Sequence, residues 1–214
     1  MMTKIEVVKG NIKTAAVNLF SRFGYEKTSV DQIAKMAQKA KASVYYHFDS
    51  KLSIYRSVME DEFRTLRGSL EEVREKCTEG EGECLAGYLM TRMETMLNMP
   101  VYSNYMKDSI VHQATGEVIQ VVKSIRKGFD EWEYRYFRNV GEKGIKEGVF
   151  TDRVYPDMFA RMLINILKGL EIQFFVTEDK EAMKSTYEAM VEILIYRNPR
   201  RAVQRPPEHG PDNR

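Results

Sequence analysis

Histidine, cysteine and tryptophan are scarce in this 214-residue chain, at three, two and one. His47, His112 and His209 lie far apart, and Cys77 and Cys84 sit in a Glu/Gly-rich stretch at a spacing that matches no metal or redox signature. No metal and no cofactor is therefore expected. No nucleophile elbow, phosphate loop or convincing carboxylate pair is present either, so the chain is not read as an enzyme. Nor is there an apolar run of about eighteen residues, and the opening Met-Met-Thr-Lys-Ile-Glu lacks the apolar core of a secretion signal. A cytoplasmic protein without a membrane partner is the expectation. Four of the six prolines fall within residues 198–214 among almost no apolar side chains, which predicts a disordered tail.

What remains is an ordinary apolar content, 43% of residues, enough for a real core in a chain of this size. The small net charge of +2 hides an asymmetry. Residues 1–56 hold ten Lys/Arg against four acids, a local +6, which leaves −4 for the rest. A small polyanion-binding head on a neutral-to-acidic body has this distribution.

Helical periodicity dominates. Ile12, Ala15, Ala16, Leu19, Phe20 and Phe23 share one face of a first helix, which Gly24 stops. Thr28-Ser29-Val30-Asp31 has the form of a helix start, followed by Val30, Ile33, Ala34 and Ala37 on one face of a short second helix. A third short helix is expected near 41–47, with Val44 and Phe48 turned inward. A long helix follows from Ser50 towards Lys76, then a loop at 77–84. Helices are expected at about 85–98, 101–113 and 117–142, with Gly141, Gly144 and Gly148 breaking the chain. Two more, at 156–176 and 180–197, carry wide apolar stripes. The fold class is thus all-α, divided as 1–55, 56–197 and the tail 198–214.

Two short helices joined by about four residues form a helix-turn-helix, which can lay its second helix in the major groove of DNA. The run Ala15-Ala16, Leu19-Phe20, Gly24-Tyr25, Thr28-Ser29-Val30, Ile33-Ala34, Val44-Tyr45-Tyr46-His47-Phe48 and Ser50-Lys51 resembles the signature of the TetR family of bacterial transcriptional regulators. Where that family usually has Gly, an apolar residue and Ser/Thr in the turn, this chain has Gln38, Lys39 and Ala40. The loss weakens the turn and the cap by roughly 1 kcal/mol.

The resemblance implies a repressor that grips a near-palindromic double-stranded DNA operator as a homodimer and is released by a small-molecule inducer. The DNA-contacting set within residues 29–48 and its flanks is expected to be Thr28, Lys41, Ser43, Tyr45, Tyr46, His47 and Lys51. Lys41 and Tyr45 are assigned to bases; Thr28, Tyr46, His47 and Lys51 are assigned to phosphates. Methionines and aromatics in the middle of the chain suggest an apolar pocket, for which Met93, Met96, Tyr105, His112, Phe129, Trp132, Tyr136 and Asn165 are the expected lining. The wide stripes on the last two helices fit a four-helix bundle shared by two subunits, with Leu167 and Leu194 expected at the interface. The competing reading is a DNA-binding relative with no inducer, acting in chromosome organisation or partner recruitment.

Overall fold

The computed structural model describes residues 3–112, 116–148, 150, 153 and 155–195. Among these, nine α-helices and no strand are formed. The expected tail, from residue 198, lies outside the described residues.

Helix α1 (Lys4–Phe23) starts at a Thr3/Glu6 capping box and buries Ile12, Ala15, Ala16, Leu19 and Phe20. Phe23, expected on that face, is about half exposed. Gly24, with φ 76°, ends the helix. Helix α2 (Val30–Met36) is capped by Ser29 and Gln32, each side chain bonding the other's backbone N–H. Helix α3 (Lys41–His47) buries Val44, and the following Phe48 packs beside it. The three helices close over Ile12, Ala16, Phe20, Ile33 and Val44, which are continuous with the core of the body.

Helix α4 (Lys51–Lys76) leaves this head and runs the length of the body, so the division expected at 55/56 falls inside a helix shared by both. Its partners are α5 (Glu81–Leu97), α6 (Pro100–His112) and α7 (Glu117–Lys146), with α8 (Pro156–Val176) and α9 (Lys180–Ile195) packed behind. Glu62 on α4 accepts the backbone N–H groups of Val101 and Tyr102 at 2.8 and 2.9 Å, closing the exposed start of α6. On its other side α6 rests against the head. Asn104 donates to the Ser21 carbonyl, and a Cβ at Gly24 would meet Asn104 and Asp108 at 3.2 and 3.0 Å.

Three expectations need correction. Helix α5 begins at Glu81, inside the stretch read as a loop, because Glu81 and Glu83 in its first turn complement the helix dipole. Gly141 and Gly144 do not break α7. They lie within it as notches: Phe159 packs over Gly141, and any side chain at Gly144 would overlap the Phe150 ring. Cys77 and Cys84, read as matching no redox signature, stand 5.6 Å apart at Cα and form a disulfide across the turn between α4 and α5.

Candidate nucleic-acid interface and body cavity

Burial sorts the residues of α3 by role. Val44 and Phe48 point into the head core at 0% and 6% exposure, so the opposite side of this two-turn helix must face out. There Tyr45 is 46% and Tyr46 75% exposed, far above what a core aromatic shows. Tyr46 stacks edge-on against half-buried His47, and Ser43 is also half-buried. Lys41 is exposed and holds Asp31 of α2 at 2.9 Å, which keeps its ammonium above the usual lysine range. An exposed ion pair of this kind opens readily when a stronger anion arrives.

The turn before α3 bears the marks of its missing residues. Gln38 adopts φ 54°, the left-handed region that glycine occupies more cheaply, and Ala40 caps α3 with no side-chain hydrogen bond.

Two members of the expected phosphate set are engaged inside the head. Thr28 is 2% exposed, its hydroxyl donating to the Gly24 carbonyl at 2.8 Å, so it braces the α1–α2 turn from inside. Lys51 donates to the Tyr25 carbonyl at 2.8 Å with its ammonium 4.0 Å from the centre of the Tyr25 ring. Burial lowers its pKa, and its cation is engaged within the head.

The expected pocket residues do not converge on one site. Tyr105 lines an open cavity of about 750 Å³ between α6, α7 and α8, together with Tyr102, Met106 and Val122. Met93 and Met96 instead border a void of about 10 Å³ among Leu167, Phe174 and Phe175. Phe129, Trp132 and Tyr136 are core residues, and the Arg67 guanidinium lies over the Trp132 ring. Asn165 is exposed on α8, away from the cavity, and the His112 side chain lies outside the described residues. Leu167, expected at a subunit interface, is 1% exposed and belongs to the core of one chain.

Sequence reasoning offers Glu171 as a possible polar anchor of the pocket but misses the layer of buried charge to which it belongs, between cavity and void. Arg92 bonds both carboxylate oxygens of Glu133, at 2.8 and 3.2 Å, and Tyr88 donates to the same carboxylate at 3.0 Å. Arg126 grips Glu171 through Nη1 and Nη2 at 2.6 and 2.9 Å, while its Nε donates to Asp130 at 2.8 Å. Arg92 also stands 3.5 Å from Glu171, and Tyr102 donates to it. Burial alone would raise the pKa of Glu171. Arg126 and Arg92 outweigh it and hold the carboxyl below its ordinary value. The available signal was a charge on an apolar face: Glu171 follows Leu163 and Leu167 at helical spacing, and Arg92 sits in the stripe of Leu85, Leu89 and Met96.

The model of the bacterial regulatory proteins of the tetR family matches residues 12–58, the segment from α1 into α4. That segment, the head, is of the tetR-family type. Over 48 residues the tetR-type head is 54% identical to the biofilm operon icaADBC HTH-type negative transcriptional regulator IcaR of Staphylococcus aureus (strain Newman). That match takes in 22% of this chain and 26% of IcaR. The IcaR of Staphylococcus epidermidis is 45% identical over 56 residues, 26% of this chain and 30% of that protein. The match thus spans between a quarter and a third of these curated relatives.

The body finds its likeness in solved structures. The fatty acid degradation regulator FadR from Bacillus halodurans superposes with a TM-score of 0.69 at 16% identity, over 87% of this chain and 94% of that one. FadR from Bacillus subtilis, solved in complex with stearoyl-CoA, gives 0.67 at 19% identity, over 87% and 97%. At such identities the likeness is one of fold. Among the described residues no helix is long and apolar enough to cross a membrane, and no group of three or more His, Cys, Asp or Glu is placed to hold a metal ion.

Proposed function

We propose that this chain is a DNA-binding transcriptional repressor that acts as a homodimer and leaves its operator when a small apolar or amphipathic ligand binds the body. The observation that carries the DNA reading is the two-sidedness of α3. Its apolar side is locked into the head core, while Lys41, Tyr45 and Tyr46 stand out from a segment of local charge +6. Tyrosine hydroxyls and the His47 imidazole donate to phosphate oxygens, and Lys41 reaches base edges once released from Asp31. The printed role of IcaR, a negative transcriptional regulator, supports repression. The stearoyl-CoA bound to the Bacillus subtilis FadR supports a ligand among the body helices.

The dimer reading rests on an unpartnered stripe. Met158 and Met162 stand four residues apart near the start of α8 and Ile172 and Val176 four apart near its end, each 40–55% exposed, and Ile193 on α9 is 72% exposed. A second copy would bury both helices in a four-helix bundle and place two α3 helices on successive major-groove faces about 34–36 Å apart, or a multiple of that. The operator would then be a near-palindrome.

The test is selection of bound duplexes from a random DNA pool, followed by fluorescence titration at several salt concentrations. Enrichment of near-palindromic sites is expected. Tyr46→Ala should weaken binding to all sequences about tenfold; Lys41→Ala should also change sequence preference and lower the salt slope by about one unit. An unenriched pool, or two variants that bind like the wild type, overturns the reading.

A further inference from the structure

The cavity between α6, α7 and α8 is charged in one sense. Lys123, Arg126, Lys127, Arg135, Arg161 and Lys168 line it against Asp130 and Glu131, an excess of four positive charges in a body whose sequence is acidic in balance. Some are already matched: Lys168 pairs with Asp130, and Lys127 lies 3.9 Å from Glu131. Lys123 and Arg135 have no ion pair among the described residues. Between these cations the wall is apolar, formed by Tyr105, Met106 and Val122. A chamber with cations set around an apolar wall fits a molecule with an acidic head and a hydrocarbon chain.

Arg126 is the one cation of the set that is both lining and buried, with its side chain 13% exposed. Four of its five donors are taken: one by Asp130, one by the Tyr102 oxygen and two by Glu171. An anion entering the cavity therefore competes with Glu171 for the guanidinium fork. Glu171 has somewhere to go, because Arg92 already stands 3.5 Å away on its inner side. The exchange trades one bidentate arginine–carboxylate pair for another and leaves no carboxylate unpaired, so it avoids the penalty of stranding a buried charge.

We propose that the cavity binds an anionic amphiphile, whose carboxylate or phosphate takes the place of Glu171 on Arg126 while its chain lies along Tyr105, Met106 and Val122. The proposal rests on the ligand-responsive reading above and narrows it to one charge class. Neutral and cationic apolar molecules of the same size bind more weakly, because they offer nothing to match the positive charge around the cavity.

The experiment is calorimetric titration of the full chain with decanoate, decyl phosphate and decan-1-ol, each below its aggregation concentration. Both anions should bind at least tenfold more tightly than the alcohol, and added salt should weaken the anions only. The tighter of the two anions identifies the acidic head. Glu171→Gln removes the competitor and should tighten both anions about threefold to tenfold, a gain that a purely structural role of Glu171 does not give. Because that variant sits in the core, Lys123→Gln and Arg135→Gln at the surface provide the second arm, each expected to weaken the anions about threefold without changing the alcohol. Equal affinity for alcohol and anions, or anion affinities unmoved in the surface variants, overturns the anionic assignment while leaving a ligand-binding body in place. Failure of all three compounds to bind removes the amphiphile reading itself, and operator selection by the head is a separate measurement that this outcome does not touch.

Discussion

In the head Lys41 stands outside the core: it is exposed on Asp31, and the interior beneath is alanine, valine, leucine, isoleucine and phenylalanine. In the body Arg92 is 3% exposed and Arg126 nearly as enclosed, each tied to a glutamate on another helix. Exposed cations cost little to carry and can be lent to a partner. Buried ones restrict the interior to the few arrangements in which every charge keeps a partner. The same residue chemistry therefore stands ready for a partner in one half of the molecule and sets an internal register in the other.

That contrast is broken most sharply by removing one cation from each half. Arg92→Met leaves Glu133, at 0% exposure, with only the Tyr88 hydroxyl for company. A loss of about 3–5 kcal/mol in urea unfolding is expected. Lys41→Met should leave the unfolding midpoint unmoved. Equal effects of the two substitutions would show that burial does not separate the roles.

Glu62 sharpens the comparison from the acidic side. Burial pushes its carboxyl up to about 7 against the pull of the Val101 and Tyr102 N–H groups. A carboxyl with a raised folded pKa contributes most to stability below its ordinary value of 4.5, and that contribution falls as pH rises towards 7, since the unfolded chain ionises first. Between pH 5 and pH 8 the wild type should lose roughly 2 kcal/mol relative to Glu62→Gln. Parallel pH profiles for the two proteins would contradict this. Glu171 runs in the opposite sense, its depressed pKa giving stability that is present above the ordinary carboxyl range and lost as pH falls.

The smallest effect lies in the head. Ala40 already has extended backbone angles, φ −67° and ψ 147°, but offers no side-chain oxygen to the first turn of α3. Ala40→Ser should stabilise the chain by about 1 kcal/mol, read as a higher thermal midpoint. An unchanged midpoint would mean that water or backbone already satisfies that N–H.

The elements with a local cause were legible. Pro156 marks the first turn of α8, Ser50 caps α4, and the spacing of Ile12 to Phe20 gives the buried face of α1. The inward turn of Val44 and Phe48 followed from their four-residue separation, and with it the outward face carrying Tyr45 and Tyr46. What escaped depends on distant partners. Nothing near Gly144 announces Phe150 lying against it, Arg92 and Glu133 are 41 residues apart, and Lys51 differs from any surface lysine only through the Tyr25 carbonyl. A glycine read alone means a break, and a lysine read alone means solvent.

Helix α6 carries Tyr102, Tyr105 and Met106 on the wall of the cavity and Asn104 and Asp108 against Gly24 of the head, all within seven consecutive positions. It works as a tappet between two rooms. Protein interiors are close-packed and barely compressible, so there is no backlash to absorb a push from either side. A molecule that shifted α6 by about an ångström would have to move the α1–α2 corner with it or open a gap at Gly24, and any partner that held that corner fixed would brace the cavity wall in the same stroke.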